Sequence, residues 1–148
     1  MRRRLTIAFA LVATVAIAGE SALSLMQAGM PSECADFAAK VSASEGNFGT
    51  TNQYGCLGAF QFCPGTFESY YKGSASSFLS DPSAQVAAWK QYQSNEWSKA
   101  QSNGLTSAVG QQVCYNGRCA TVTESAILMA CQFGCGAKGK LANLVNNG

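Results

Sequence analysis

Apolar residues change their rhythm several times along this chain, and each rhythm predicts a different element. Leu5 to Ala18 is an almost unbroken apolar run behind Arg2, Arg3 and Arg4. At about 14 residues it falls short of the ~20 that cross a bilayer as a helix. Ala16-Ile17-Ala18 adds the small-x-small pattern of a signal peptidase site, so residues 1–18 are expected to be a cleaved export signal, with Ala22 a later cut point. Residues 19–32 are then an N-terminal segment ahead of a single domain, 33–148.

Beyond that point the period becomes helical. Ser32 is the expected N-cap of a helix whose buried stripe is Cys34, Phe37, Ala38 and Val41. Glu45 continues that stripe and so is expected on its core-facing side. Residues 46–58, rich in Gly, Asn and Thr, predict a loop or a short irregular β-excursion. Pro64-Gly65-Thr66 starts a second helix, and Asp81-Pro82 is an N-cap followed by proline at the first helical position. The helix from there to about Lys99 aligns Val86, Trp89, Gln93 and Trp97, with both tryptophans read as packing residues. Cys114-Tyr115-Asn116-Gly117-Arg118-Cys119 reads as a hairpin, because Asn-Gly prefers the type I′ turn and sets the two cysteines opposite each other. Thr121 and Glu124 fit a capping box for a helix through Ala126–Ala130, apolar nearly all round and expected to be the central buried one. A last amphipathic helix would carry Leu141, Leu144 and Val145. The fold class expected is mainly α, an α+β domain of small helices with a minor hairpin.

Charge and cysteine content narrow the function classes. Ten Lys and Arg stand against eight Asp and Glu, but three of the ten belong to the export signal, which leaves seven against eight. No basic patch remains to suggest nucleic acid. Seven cysteines, Cys34, Cys56, Cys63, Cys114, Cys119, Cys131 and Cys135, follow the signal, and at that density they predict a disulfide framework in an oxidising compartment, periplasmic or extracellular. The odd count leaves at least one thiol free or paired between chains. Cys114–Cys119 is the firmest pair, and Cys56–Cys63 would brace the loop carrying Gln61. The chain has no histidine and no Cys-x-x-Cys pair, which argues against a zinc site built on cysteines 114/119 or 131/135.

Three segments carry candidate chemistry: Ser44-Glu45-Gly46-Asn47-Phe48, then Gly58-Ala59-Phe60-Gln61 with Pro64 and Thr66, then Ala130-Cys131-Gln132-Phe133-Gly134-Cys135-Gly136. In this order they resemble the lytic transglycosylases and phage-type muramidases of the lysozyme superfamily. There a helix ends in the catalytic Glu, a Gly-Leu-Met-Gln-x-x-Pro-x-Thr type motif follows, and a glycine-rich motif closes the site. The resemblance implies a lysozyme-like fold and cleavage of peptidoglycan glycan strands, with Glu45 as the catalytic acid and no metal or organic cofactor. A carboxyl on a core-facing helix end is partly desolvated, which favours the protonated form that a glycosidic oxygen needs as donor. Gln61 would line the sugar cleft. Tyr54 and Phe60 are candidates for stacking on sugar rings, and Asn52 and Gln132 for polar contacts, although Asn52 could equally cap a turn.

No acidic residue lies between 46 and 67, where a second carboxylate would be expected for hydrolysis. The resemblance therefore points to transglycosylation by one carboxylate. Glu45 would protonate the leaving oxygen and then take the proton from the sugar's own 6-hydroxyl. A hydrolytic muramidase and a non-catalytic glycan-binding protein remain the alternatives. The chain departs from the family at Cys131, which stands where many members have the tyrosine that orients the Glu. The expected partners are peptidoglycan strands and a secretion-system or envelope protein, with the domain acting as a monomer.

Overall fold

A computed structural model describes residues 18–132, 134–139 and 142. The apolar run at 1–17 and the positions expected to carry a last helix (Leu141, Leu144 and Val145) lie outside the described residues. The described chain is mainly helical: α1 (Ala22–Gln27), α2 (Ser32–Glu45), α3 (Pro64–Tyr70), α4 (Ala75–Leu79), α5 (Pro82–Ser102) and α6 (Glu124–Cys131). A 3-10 turn at Leu105–Ala108 and one hairpin, β1 (Gln112–Tyr115) with β2 (Arg118–Thr121), complete it. This is a small α+β domain stabilised by disulfides, as its sequence predicts.

The longest element is the organising one. α5 has 21 residues and so spans roughly 30 Å. Asp81 caps its start by accepting a hydrogen bond from the Ala84 amide at 3.0 Å, with Pro82 in the first turn. Val86, Ala88 and Trp89 at its N-terminal half sit in one apolar cluster with Leu25, Ala38, Val41, Phe60, Phe62 and Phe78. Ala100 and Trp97 at the other half meet a second cluster of Leu105, Ala108, Ile127 and Cys131. The apolar stretch at 126–130 is thus not the central helix. α6 is only eight residues long and buries Ile127 and Cys131 alone, because just one of its faces meets the rest of the domain.

Two helix starts also differ from expectation. α2 begins at Ser32 itself, with Pro31 at the cap position and no side-chain cap. α6 is capped by Thr123, whose hydroxyl accepts from the Ala126 amide at 3.1 Å, so Glu124 is the first helical residue and not the far arm of a capping box begun at Thr121.

Residues 19–30 pack onto the body of the domain. Leu25 on α1 is fully buried. The Glu20 amide donates to Ser42 Oγ at 2.7 Å, and its carboxylate accepts from Ser24 Oγ at 2.6 Å and from the Phe48 amide at 2.9 Å. A Cβ on Gly19 would lie 2.4 Å from the backbone nitrogen of Ala43, so only glycine allows this approach.

The hairpin matches its sequence signature. Cys114 pairs with Cys119 in the antiparallel register, and Asn116 and Gly117 take φ of 47° and 74°, the left-handed pair that a type I′ turn requires. Disulfides join Cys56 to Cys63, Cys114 to Cys119 and Cys131 to Cys135, leaving Cys34 free and exposed.

Candidate functional site

The loop from 46 to 63 is where local geometry is tightest. Two isolated antiparallel bridges, Thr51 to Leu57 and Leu57 to Phe62, fold it into a short irregular β-excursion. Its anchor is Gln85 of α5, whose side chain is completely buried. Gln85 Oε1 accepts from the Ala59 amide at 3.0 Å, while Nε2 donates to the Phe48 and Phe78 carbonyls, each at 2.9 Å. Gly58, at φ 76°, passes so close that a Cβ there would meet Gln85 Oε1 at 2.0 Å.

Gln61 sits inside this loop in a left-handed conformation, φ 47°, a strained state for a residue with a side chain. Its Nε2 donates to the Gly58 carbonyl at 2.8 Å, whereas its Oε1 is buried with no partner among the described residues. A Cβ placed on Gly46 would lie 3.1 Å from Gln61 Nε2. The residue after Glu45 therefore lies directly against the amide of Gln61.

Gln61 also lines a narrow hollow of about 100 Å³ with Phe60, Phe62, Cys63, Thr66, Trp89, Tyr92 and Gln132. Thr66, Tyr92 and Gln132 are shared with a second, wider hollow of about 610 Å³, which continues past Tyr70, Glu96, Lys99 and Cys131 to Gly134, Cys135 and Gly136. Together they form one cleft of the size that holds small-molecule ligands. Its walls are the loop and start of α3, the polar line of α5, and the end of α6.

Glu45 lines neither hollow. It is the last residue of α2 and is exposed, which corrects the expectation of a core-facing, desolvated carboxyl. The buried line of α2 is Ala35, Ala38, Val41 and Ser42; residues 19 and 20 cover Ser42 and Ala43 in the final turn, and Glu45 lies beyond that cover. The carboxylate is nevertheless near enough to act on Tyr92. The Tyr92 hydroxyl is pushed up to about 12, first by burial and then by the charges of Glu96, Tyr70 and Glu45. At neutral pH Tyr92 is a neutral phenol with a proton to donate among acidic neighbours.

Glu96 is the buried charge of the cleft, 5% exposed, and its Oε1 accepts a 2.6 Å hydrogen bond from Lys99 Nζ. That bond holds the Lys99 ammonium above its usual range, against a smaller opposing effect of burial.

The remaining candidates separate cleanly. Gln132 lines both hollows. Phe60 is 9% exposed and stacks on Trp89 at 4.7 Å between centroids, so its main surface is committed to the core and only an edge faces the cleft. Tyr54 is 75% exposed and lines neither hollow. Asn52 caps a turn, its Oδ1 accepting from the amides of Tyr54 at 2.8 Å and Cys56 at 3.1 Å.

Sequence reasoning missed Tyr92 and Glu96. The apolar line Val86, Trp89, Gln93 and Trp97 drew attention away from the adjacent line Trp89, Tyr92 and Glu96, which has equally good helical spacing and is the line that faces the cleft. Compared with family models, curated proteins and solved structures, the chain finds no match.

Proposed function

We propose that this protein cleaves the glycan strands of peptidoglycan as a lytic transglycosylase, with Glu45 as the catalytic acid. One observation carries the reading: three segments distant in sequence come together, two of them lining one cleft and the third packed against Gln61. Gly46, next to Glu45, abuts Gln61, and Gln61 shares a hollow with Gln132.

An extended cleft, with an exposed carboxyl on the helix end that leads into the Gln61 loop, suits a polymer that lies across the surface. A glycosidic oxygen leaves poorly as an alkoxide, so Glu45 protonates it as the bond breaks. The resulting carboxylate then takes the proton of the 6-hydroxyl as that oxygen closes on the anomeric carbon, giving an anhydro end without water. Gln61 lines the narrow hollow, where its side chain can meet a hydroxyl or amide of the strand. The Tyr92 hydroxyl, neutral at working pH, is a donor on the opposite wall. The family's orienting tyrosine is replaced by a bridged cysteine at 131, and Tyr92 brings a phenol to the same cleft from α5.

Hydrolysis has an observation of its own. Glu96 is a second carboxylate in the cleft, a group that could activate water in a two-carboxylate mechanism.

Digestion of purified peptidoglycan with the mature protein, followed by mass spectrometry of the released ends, tests both routes. Anhydro ends support transglycosylation and reducing ends hydrolysis. No release from active-length protein would sink both and leave a glycan-binding role. Glu45→Gln is expected to lower the rate by at least about 100-fold, with its circular dichroism unchanged.

A further inference from the structure

The end of α6 carries two cysteines that neither route of glycan cleavage uses. Cys131 and Cys135 are 2% and 1% exposed and bridged to each other, and Glu96 reaches the same spot from α5. The two sulfurs and a carboxylate oxygen of Glu96 all lie within 4.8 Å of one another, and all three residues line the wider hollow. α6 ends at Cys131, and the turn through Gly134, at φ 107°, brings Cys135 back to 4.7 Å from it between Cα atoms. A disulfide offers no anionic ligand. Once opened, the same three side chains present two thiolates and a carboxylate around a common point, the donor set of a zinc centre that keeps one open position.

We propose that Glu96, Cys131 and Cys135 form a redox-gated site for zinc(II), shut while the bridge stands. A dithiol reductant delivers two electrons and two protons, breaks the Cys131–Cys135 bond and leaves as its own disulfide. Each cysteine then carries a thiol. Zinc binds with release of both thiol protons, and Glu96 turns from Lys99 to supply the third ligand, leaving the fourth position to water from the hollow. Residue counting argued against zinc because it looked for histidine and paired Cys-x-x-Cys; the third ligand comes instead from α5, 35 positions upstream of Cys131. This site does not rest on the glycan-cleavage reading, and its test measures metal, not activity.

The probe is cobalt(II), titrated into the protein before and after treatment with a phosphine reductant, which does not compete for the metal. The expected result is no uptake by the oxidised protein and about one cobalt per chain after reduction, with a thiolate-to-cobalt charge-transfer band. Reduction also opens the other two bridges, so C131S/C135S protein is titrated in parallel. It keeps every other cysteine and should lose the band, while E96Q should bind at least about tenfold more weakly. An unchanged band in C131S/C135S, or equal uptake before reduction, overturns the proposal. A second readout works residue by residue: zinc present during reduction should protect Cys131 and Cys135 from iodoacetamide while Cys56, Cys63, Cys114 and Cys119 are labelled. Equal labelling of Cys131 and Cys135 with and without zinc, whether from lack of affinity or loss of fold, also overturns it.

Discussion

Replacing Gln85 by methionine tests whether one buried amide holds the loop at 46–63 to the helix behind it. Methionine is close in volume and shape, so the change removes hydrogen bonds while adding little cavity or strain. Three bonds go at once, to the Ala59 amide and to the carbonyls of Phe48 and Phe78. The Phe78 carbonyl keeps a second partner in the Asp81 amide at 3.2 Å and loses little. The buried Ala59 amide and the part-buried Phe48 carbonyl have no such reserve, and each orphaned backbone group costs about 1–3 kcal/mol. The expected destabilisation is therefore about 3–4 kcal/mol, a large part of the stability of a domain this size.

Urea unfolding followed by the fluorescence of Trp89 and Trp97 reads this directly. With a slope of about 1.5 kcal/mol per molar, the midpoint should fall by roughly 2 M. Gln85→Glu sharpens the test, because it places a carboxylate against two carbonyl oxygens. The folded state then holds the carboxyl proton more tightly than the unfolded chain. The penalty relative to the parent is smallest at acid pH and grows as pH rises above the unfolded carboxyl range of about 4.3. A Gln85→Met shift below about 1 kcal/mol, or a Gln85→Glu penalty that does not change with pH, would refute the anchoring role.

Three further outcomes follow from the same structure. Folding raises the Tyr92 hydroxyl from 10.0 to about 12, so its contribution is intact below pH 10 and is lost as pH climbs toward 12; two units are worth about 2.7 kcal/mol, cut by solvent at a half-buried hydroxyl to roughly 1 kcal/mol. Urea midpoints at pH 9 and 11 should therefore fall less in Tyr92→Phe than in the parent, and equal falls would count against that environment. Converting both Cys114 and Cys119 to alanine frees a six-residue loop and should cost about 2 kcal/mol by chain entropy, read as a lower thermal midpoint with the same far-ultraviolet spectrum. Glu96→Gln separates the two glycan-cleaving routes: a transglycosylase keeps its rate within about threefold, whereas a hydrolase using Glu96 as base loses about 100-fold.

What could be read from sequence was whatever depends on neighbours a few residues away. The Asn116-Gly117 turn, the Asp81-Pro82 start of α5 and the Cys114–Cys119 and Cys56–Cys63 bridges rest on local backbone preferences and short spans, and all are present. Burial is a different quantity. Spacing from Val41 puts Glu45 on the same face of α2, but whether that face is covered depends on a distant segment, and the cover that residues 19 and 20 give Ser42 stops short of Glu45. The helix α1 was illegible for the complementary reason: six residues with little pattern become a fixed element only because Leu25 finds a core and Glu20 finds Ser42 and Phe48.

Glu96 shows where reading by motif stops in principle. A glutamate in mid-helix, four residues after a tyrosine and three before a lysine, has every local mark of a solvated surface charge. Its burial follows from the length of α5, which carries it past the first apolar cluster and under the glycine-rich turn at Gly134–Gly136, where Cys131 and Cys135 close over it. The loop after Glu45 has no acidic residue between 46 and 67, which by itself favours a single-carboxylate reaction. The cleft holds a carboxylate all the same, supplied by the helix at its back. Under the proposed glycan-cleaving function, the choice between transglycosylation and hydrolysis turns on whether Glu96, tied to Lys99 at 2.6 Å, is free to take a proton from water. Lys99→Met removes that tie and leaves the carboxylate in place. If Glu96 acts as the base, this change should alter the pH profile of cleavage. If Glu45 works alone, the profile should stay where it was.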